Sequence, residues 1–301
     1  MKNKFISFAI ISLSWLAASC HQISEKENLQ TPNIILILTD DMGYGDLSSY
    51  GATEYSTPNL DLLASEGIRF TNFYAAQPVC SASRAALLTG CYSNRIGIKY
   101  ALGPGSNTGL NPEEETIAEL LKRSNYMTMA IGKWHLGDSY KFLPLQHGFD
   151  EYLGIPYSND MWPVGYDGVH KEESKYPELP LIKGNEKIRE IKNLNDQSHL
   201  TTIYTDAATD FIEENKDNPF FLYLAHSMPH VPLAVSDKFE GNTEQGMYGD
   251  VIKEIDWSVS EIINALEEYD LRKNTLIIFT SDNGPWLNFG NHAGSAGGLR
   301  E

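Results

Sequence analysis

The chain has 301 residues, of which 40 are acidic and 23 are Lys or Arg, giving a net charge of −17 and a pI near 4.8. That balance argues against nucleic acid as a partner, because backbone phosphates are bound by clustered Lys and Arg and no basic stripe is present. A 42% hydrophobic, 11% aromatic composition is that of a globular chain able to bury a core, and it excludes disordered and fibrous classes.

Residues 1–20 carry two lysines, an apolar run from Phe5 to Ala18, and small residues before Cys20. The run is shorter than the roughly 20 residues a spanning helix requires, so it reads as an export signal. Small residues before a Cys resemble a bacterial lipoprotein processing site, which implies a lipid on Cys20, although Leu16 stands four residues before the Cys instead of three. Cleavage with simple secretion is the alternative. Either way the chain is expected in the periplasm or on the outer membrane, touching membrane only through that lipid. Residues 21–32 read as a polar tether, and 33–301 as one globular domain.

A continuous aliphatic run from Asn33 to Thr39 predicts a strand covered on both faces, and it stops at Asp40 and Asp41. Similar runs at 126–131, 219–225 and 274–280 end in Gly132-Lys133-Trp134-His135, in His226 to His230, and in Ser281-Asp282-Asn283-Gly284. Three- and four-residue apolar spacing predicts helices over 116–124, 201–214 and 248–269. Strands alternating with helices predict an α/β fold with a mostly parallel sheet. The stretch 156–200, rich in Tyr, Pro and charge, is expected to make excursions over the carboxyl ends of the strands, where ligands bind in such sheets.

Asp40, Asp41, Asp282 and Asn283 are hard oxygen donors of the kind that suit Ca²⁺ or Mg²⁺, although each pair alone could simply make a turn. Zinc is disfavoured by the absence of Cys pairs and of a helical His spacing. Residues 83–88 suit a helix, which puts Cys80 near a helix N-terminus where exposed N–H groups favour an anion. Cys80 could equally be an inert thiol or pair with Cys91; Cys91 otherwise reads as a buried thiol. His226 reads as structural. Tyr157, Asp160, Trp162 and Trp286 suit either a sugar subsite or ordinary packing.

The run Cys80-Ser-Ala-Ser-Arg84 followed by Ala-Ala-Leu-Leu-Thr-Gly90 resembles the Cys-x-Pro-x-Arg signature of type I sulfatases, within the alkaline phosphatase superfamily. Thr57-Pro-Asn-Leu-Asp61, Gly132 to Gly137, Gly148 to Gly154 and Ser281 to Gly284 follow in the family's order, and Gly154-Ile-Pro-Tyr-Ser158 is most similar to the arylsulfatase A and N-acetylgalactosamine-6-sulfatase branch. Ala82 departs from the commonest Pro. The resemblance implies an alkaline phosphatase-like mixed sheet with helices on both faces. It further implies that a maturation enzyme oxidises Cys80 to formylglycine, whose hydrate carries two hydroxyls on one carbon, one to attack sulfur and one to expel sulfate.

By the same resemblance Asp40, Asp41, Asp282 and Asn283, with the modified Cys80, hold one divalent metal, usually calcium. Arg84 steadies the nucleophile and the metal carboxylates; Lys133 and His230 bind sulfate; His135 takes a proton; His230 protonates the leaving oxygen; Ser158 contacts the substrate near the nucleophile. The implied substrate is a sulfated saccharide or aryl sulfate. The family's further sulfate-binding Lys and C-terminal antiparallel subdomain have no counterpart in these 301 residues, which predicts exposed apolar sheet surface and weak activity of this polypeptide alone. Two readings compete: a phosphatase or phosphodiesterase of the superfamily, disfavoured by Cys at the nucleophile position and few His, and a non-catalytic lipoprotein or inactive fragment that binds sulfated glycan.

Overall fold

A computed structural model describes residues 31–299; the leader at 1–20, Cys20 and most of the tether lie outside them. Seven strands form one sheet in the order β5-β4-β3-β2-β6-β1-β7. They are β1 (Asn33–Thr39), β2 (Met127–Lys133), β3 (Glu151–Ile155), β4 (Leu179–Lys183), β5 (Glu186–Ile191), β6 (Phe220–Ala225) and β7 (Thr275–Ser281). The pairs among β7, β1, β6, β2 and β3 are parallel; β3 with β4 and β4 with β5 are antiparallel. The sheet is therefore mixed and mostly parallel. The stretch 156–200 does not only loop over the strand ends. It also supplies the β4–β5 hairpin, whose short strands, one with a register shift at Leu181/Ile182, carry too little alternation to be read from sequence.

Both faces are covered, as the unalternated strands require. On one, Ile35, Ile37, Met129, Ile131, Leu222 and Leu224 pack with the helices α5 (Leu200–Glu214) and α6 (Met247–Glu268). On the other, Leu36, Leu38, Ala130, Phe221 and Tyr223 pack with α2 (Cys80–Thr89) and Ala118 of α3 (Ile117–Lys122). Thr116 and Glu119 cap α3 reciprocally, an arrangement of Thr and Glu three residues apart that satisfies two free N–H groups. Short helices α1 (Pro58–Glu66) and α4 (Leu194–Ser198) complete the set. On the edge strand β7, Leu276 and Ile278 are exposed. No described helix is long and apolar enough to cross a membrane.

The carboxyl ends of β2, β3 and β6 converge so closely that only glycine fits. A Cβ on Gly132, whose φ is +95°, would lie 1.9 Å from the Ala225 carbonyl oxygen, and one on Gly154 would lie 1.9 Å from the Gly132 carbonyl oxygen. This crowding sets Lys133 and the residues after β6 side by side.

Candidate active site

Six segments from distant parts of the chain meet beyond the carboxyl ends of the parallel strands. Since β1 lies between β6 and β7, the turn after Thr39 is flanked by the loop carrying His230 and by Asp282 and Asn283. Asp41 (φ +60°) and His135 (φ +59°) are both in the left-handed region; such conformations cost about 1–3 kcal/mol each and persist where surrounding structure fixes them. Cys80 is the first residue of α2, after the extended Val79, so the helix begins at the Cys and Arg84 lies one turn on, on the same side.

Arg84 is fully buried and ties the segments together. Its Nε donates to Asp282 Oδ2 at 2.9 Å, one terminal nitrogen donates to the Lys133 carbonyl at 2.5 Å, and the other lies 3.5 Å from Asp40 Oδ1. Lys133, also fully buried, pairs with Asp40 Oδ2 and donates to Ser158 Oγ at 3.0 Å. Between Lys133 and His135, Trp134 turns into the core and donates its indole N–H to the Phe142 carbonyl at 2.7 Å, so its neighbours face the site. His230 Nε2 lies 3.5 Å from Asp41 Oδ2, and its Nδ1 lies 2.5 Å from the Val231 carbonyl oxygen. Cis bonds Met228–Pro229 and Val231–Pro232 flank it.

Electrostatics follow from burial and neighbours. Burial opposes ionisation of Asp40, but Lys133, then His230 and Arg84, outweigh it and hold its carboxyl below the ordinary range. Burial, then the charge of Asp40, pushes Asp282 up to about 7 against the pull of Arg84. Asp41 is also raised, by burial first. Burial and Asp40 push the Cys80 thiol well up, so the unmodified side chain is a thiol and not a nucleophilic thiolate. Burial, Lys133 and Arg84 keep His135 neutral. A carbonyl can only accept, so His135 Nε2, 3.0 Å from the Leu102 carbonyl oxygen, carries the proton; Nδ1, buried and with no hydrogen-bond partner, is left with its lone pair. Burial and Lys133 oppose protonation of His230, but Asp40, Asp41 and Asp160 outweigh them and raise it.

The donor set suits a cation. One ligand atom from each of Asp40, Asp41, Cys80 and His230 lies within 4.8 Å of the others. Asp40 Oδ1 and Asn283 Oδ1 are buried without a hydrogen-bond partner, which is costly for oxygen acceptors unless a cation satisfies them. Asn283 Nδ2 donates to Asp41 Oδ1 at 2.5 Å. Asp282 stands beside this group with its oxygens on Arg84 and on the Asp41 N–H at 3.2 Å. Of the ligands expected from sequence, Asp40, Asp41 and Cys80 fall in this four-residue group, Asp282 and Asn283 stand beside it, and His230 adds a donor not counted among the ligands.

Every sequence-derived site residue is thus in one place: Asp40, Asp41, Cys80, Arg84, Lys133, His135, Ser158, His230, Asp282 and Asn283. Three supports were not legible. Leu102 holds His135 and donates its N–H to Ser81 Oγ at 3.0 Å; Asn159 Nδ2 reaches the His230 and Pro232 carbonyls at 3.4 Å; Gln197 donates to the Pro232 carbonyl at 2.6 Å. Only the adjacency of Asn159 to Ser158 could have hinted at them. His226 is buried with Nε2 3.3 Å from Ser258 Oγ. Cys91 is a correction: it is exposed and free, because Gly90 ends α2 in a left-handed cap and the chain leaves the core there.

The profile of the sulfatase family matches residues 32–299. The chain belongs to the sulfatase family. It is 40% identical over 273 residues to human (Homo sapiens) N-acetylgalactosamine-6-sulfatase, covering 86% of this chain and 51% of that one, and 39% identical over 280 residues to bovine (Bos taurus) arylsulfatase A, covering 89% and 55%. The crystal structure of the PsFucS1 sulfatase from Pseudoalteromonas sp. superposes with a TM-score of 0.82 at 31% identity, over 98% of this chain and 62% of that one. This sulfatase-family chain therefore spans about half the length of the curated relatives it matches.

Proposed function

We propose that the protein is a sulfuric ester hydrolase that releases inorganic sulfate from a sulfated carbohydrate or aryl sulfate. The observation that carries this reading is the meeting of Cys80, at the start of a helix, with the buried cations of Arg84 and Lys133 and with Asp40 Oδ1 and Asn283 Oδ1, which are buried without a hydrogen bond. An acidic chain can hold an anionic ester there because near charges in a buried site outweigh distant, screened ones. Asp40, Asp41 and Asn283, with Asp282 beside them, would hold one divalent cation, calcium or magnesium, which when bound polarises the ester's sulfonyl oxygens and relieves the repulsion among the carboxylates. Formylglycine at Cys80, made by a maturation enzyme, would supply two hydroxyls on one carbon, one to attack sulfur and one to release sulfate.

The remaining work falls to side chains already in place. Lys133 offers an ammonium pinned by Asp40 and Ser158, a fixed point charge for a sulfate oxygen. Arg84 keeps Asp282 and the Lys133 segment in register and cannot lose its proton. His135, with its free lone pair on Nδ1, takes the proton from the hydroxyl at position 80. His230, favoured in its charged form by Asp40 and Asp41, gives a proton to the departing alcohol oxygen. We also infer export with lipid on Cys20.

The discriminating experiment is mass analysis of the peptide containing position 80 from protein expressed in its native host, together with assay of sulfate release. Expected are a mass below that of cysteine, a carbonyl that reacts with hydrazides, and sulfate release that Cys80→Ala abolishes. An unmodified thiol with no release would favour the non-catalytic glycan-binding reading.

A further inference from the structure

Residues 101–110 run past His135 with no regular secondary structure and are pinned at three points. At the far end the Leu110 N–H donates to the Leu136 carbonyl at 2.8 Å, and Gly109 passes so close that a Cβ on it would lie 2.4 Å from the Phe142 ring. In the middle the Gly105 N–H donates to Asp138 Oδ2 at 2.7 Å. At the near end the Leu102 N–H donates to Ser81 Oγ at 3.0 Å. Two of the three anchors, Leu136 and Asp138, belong to the segment that carries His135, whereas the third belongs to α2, one residue after Cys80. Held between them, the Leu102 carbonyl accepts from His135 Nε2 at 3.0 Å. Direct hydrogen bonds thus run from the imidazole, through the backbone of one residue, to the neighbour of Cys80.

Ser81 is fully buried, and His135 is 1% exposed with no hydrogen-bond partner on Nδ1. A neutral imidazole free to turn, or to move its proton between nitrogens, can present a donor to the site; a proton held on Nε2 keeps Nδ1 an acceptor. The left-handed backbone of His135 also persists only where its neighbours fix it. We propose that Ser81 is a positioning residue for catalysis: through the Leu102 backbone it holds the His135 proton on Nε2 and keeps the ring at a set distance from the side chain at position 80. In the step this serves, the O–H bond at position 80 breaks, the proton forms an N–H bond at Nδ1, and the electron pair stays on the oxygen. Proton transfer needs the two atoms within hydrogen-bond reach, so fastening the base to the helix that begins with the nucleophile makes them move as one unit. The catalytic step rests on the hydrolase reading above; the tie from Ser81 to His135 does not.

The test uses protein expressed from its complete gene with its maturation enzyme, and para-nitrophenyl sulfate, whose phenolate departs without a proton and so separates His135 from His230. Ser81→Ala is expected to lower kcat at least tenfold with KM within threefold of wild type, and Ser81→Thr, which keeps the hydroxyl, to restore kcat to within threefold. Asp138→Ala, which frees the loop at Gly105 and leaves α2 intact, is expected to lower kcat severalfold. In the Cys80→Ala background, which cannot form the aldehyde, nitrogen NMR of histidine-labelled protein is expected to show His135 as a single neutral Nε2–H tautomer, and Ser81→Ala to speed exchange of that proton with water at least tenfold. If wild type releases sulfate but Ser81→Ala leaves either kcat or the His135 proton unmoved, the positioning role is wrong and the hydrolase reading stands. If wild type releases none, yet Ser81→Ala loosens the His135 proton, the tie stands and the hydrolase reading falls.

Discussion

Arg84 is the residue on which the candidate site most depends, and Arg84→Met isolates its charge while keeping an unbranched apolar stem. The substitution removes the 2.9 Å bond to Asp282, the 2.5 Å bond to the Lys133 carbonyl and the positive charge 3.5 Å from Asp40, all at zero exposure. Breaking a buried ion pair from one side costs about 3–5 kcal/mol, because the partner stays buried and uncompensated. Against a total stability of about 5–15 kcal/mol that is a large share. The loss depends on pH in a direction the site fixes. Asp282 titrates at about 7 in the folded protein and near 3.8 when unfolded, so the native state holds the extra proton below pH 7 and stability falls as pH rises toward 7. Without Arg84 the carboxyl shifts higher still. Below pH 7 it is neutral in both proteins, and the variant loses its hydrogen bonds and the positive charge beside the ionised Asp40, about 3–5 kcal/mol. Above pH 7 the gap widens by about 1.4 kcal/mol per pH unit until the variant's own pKa is passed. Urea unfolding followed by tryptophan fluorescence, with chelator present, at pH 6 and pH 8.5 measures both effects. A variant within 1 kcal/mol of wild type at pH 8.5, or a gap that does not grow with pH, would refute the assignment of Arg84 as counter-charge to this cluster.

Calcium at millimolar concentration is expected to raise the midpoint of thermal unfolding above that in chelator, in proportion to the logarithm of its concentration, and Asp40→Asn with Asn283→Ala to abolish the rise; calcium-independent unfolding would remove the cation site. Acid is expected to destabilise the fold through His147 and His226. Burial lowers each to about 4, so both are neutral when folded and gain a proton on unfolding below about pH 6.5. Their stabilisation is full above pH 6.5 and is lost as pH falls toward 4, by about 3 kcal/mol each at most. Urea midpoints from pH 7.5 to 4.5, compared with a His147→Gln, His226→Gln double variant, check this; identical slopes would contradict it.

Much of the molecule was written locally. The aliphatic runs at 33–39, 126–131, 219–225 and 274–280 gave four of the five parallel strands, shifted by at most two residues; the first three are covered on both faces and need no alternation, whereas β7 exposes Leu276 and Ile278 on one face. The helices over 116–124, 201–214 and 248–269 stand where three- and four-residue spacing put them. Residues in the turns at the strand ends were legible as chemistry only together: Asp-Asp or Asp-Asn after a strand commonly makes a turn, but four strand ends with complementary donors point to one site. The short β3 and the hairpin β4–β5 were not, since Gly154 and Pro180 interrupt strands only five residues long.

Only tertiary structure decided which donors meet. Hydrophobic patterning reports that a segment is buried, not which segment lies beside it. The placement of β1 between β6 and β7 brings Asp41 to His230 and Asn283, the latter 242 residues away in sequence. The same packing buries Lys133 against Asp40, fixes the proton of His135 on Nε2 through the Leu102 carbonyl, and sends Trp162 to the core while leaving Trp286 at the mouth of the site. Sequence determined the residue types and the strand ends that carry them, because those follow from local burial. The pairings that make them a site are long-range, and are set by how glycine-lined strand ends and the helices beneath them pack.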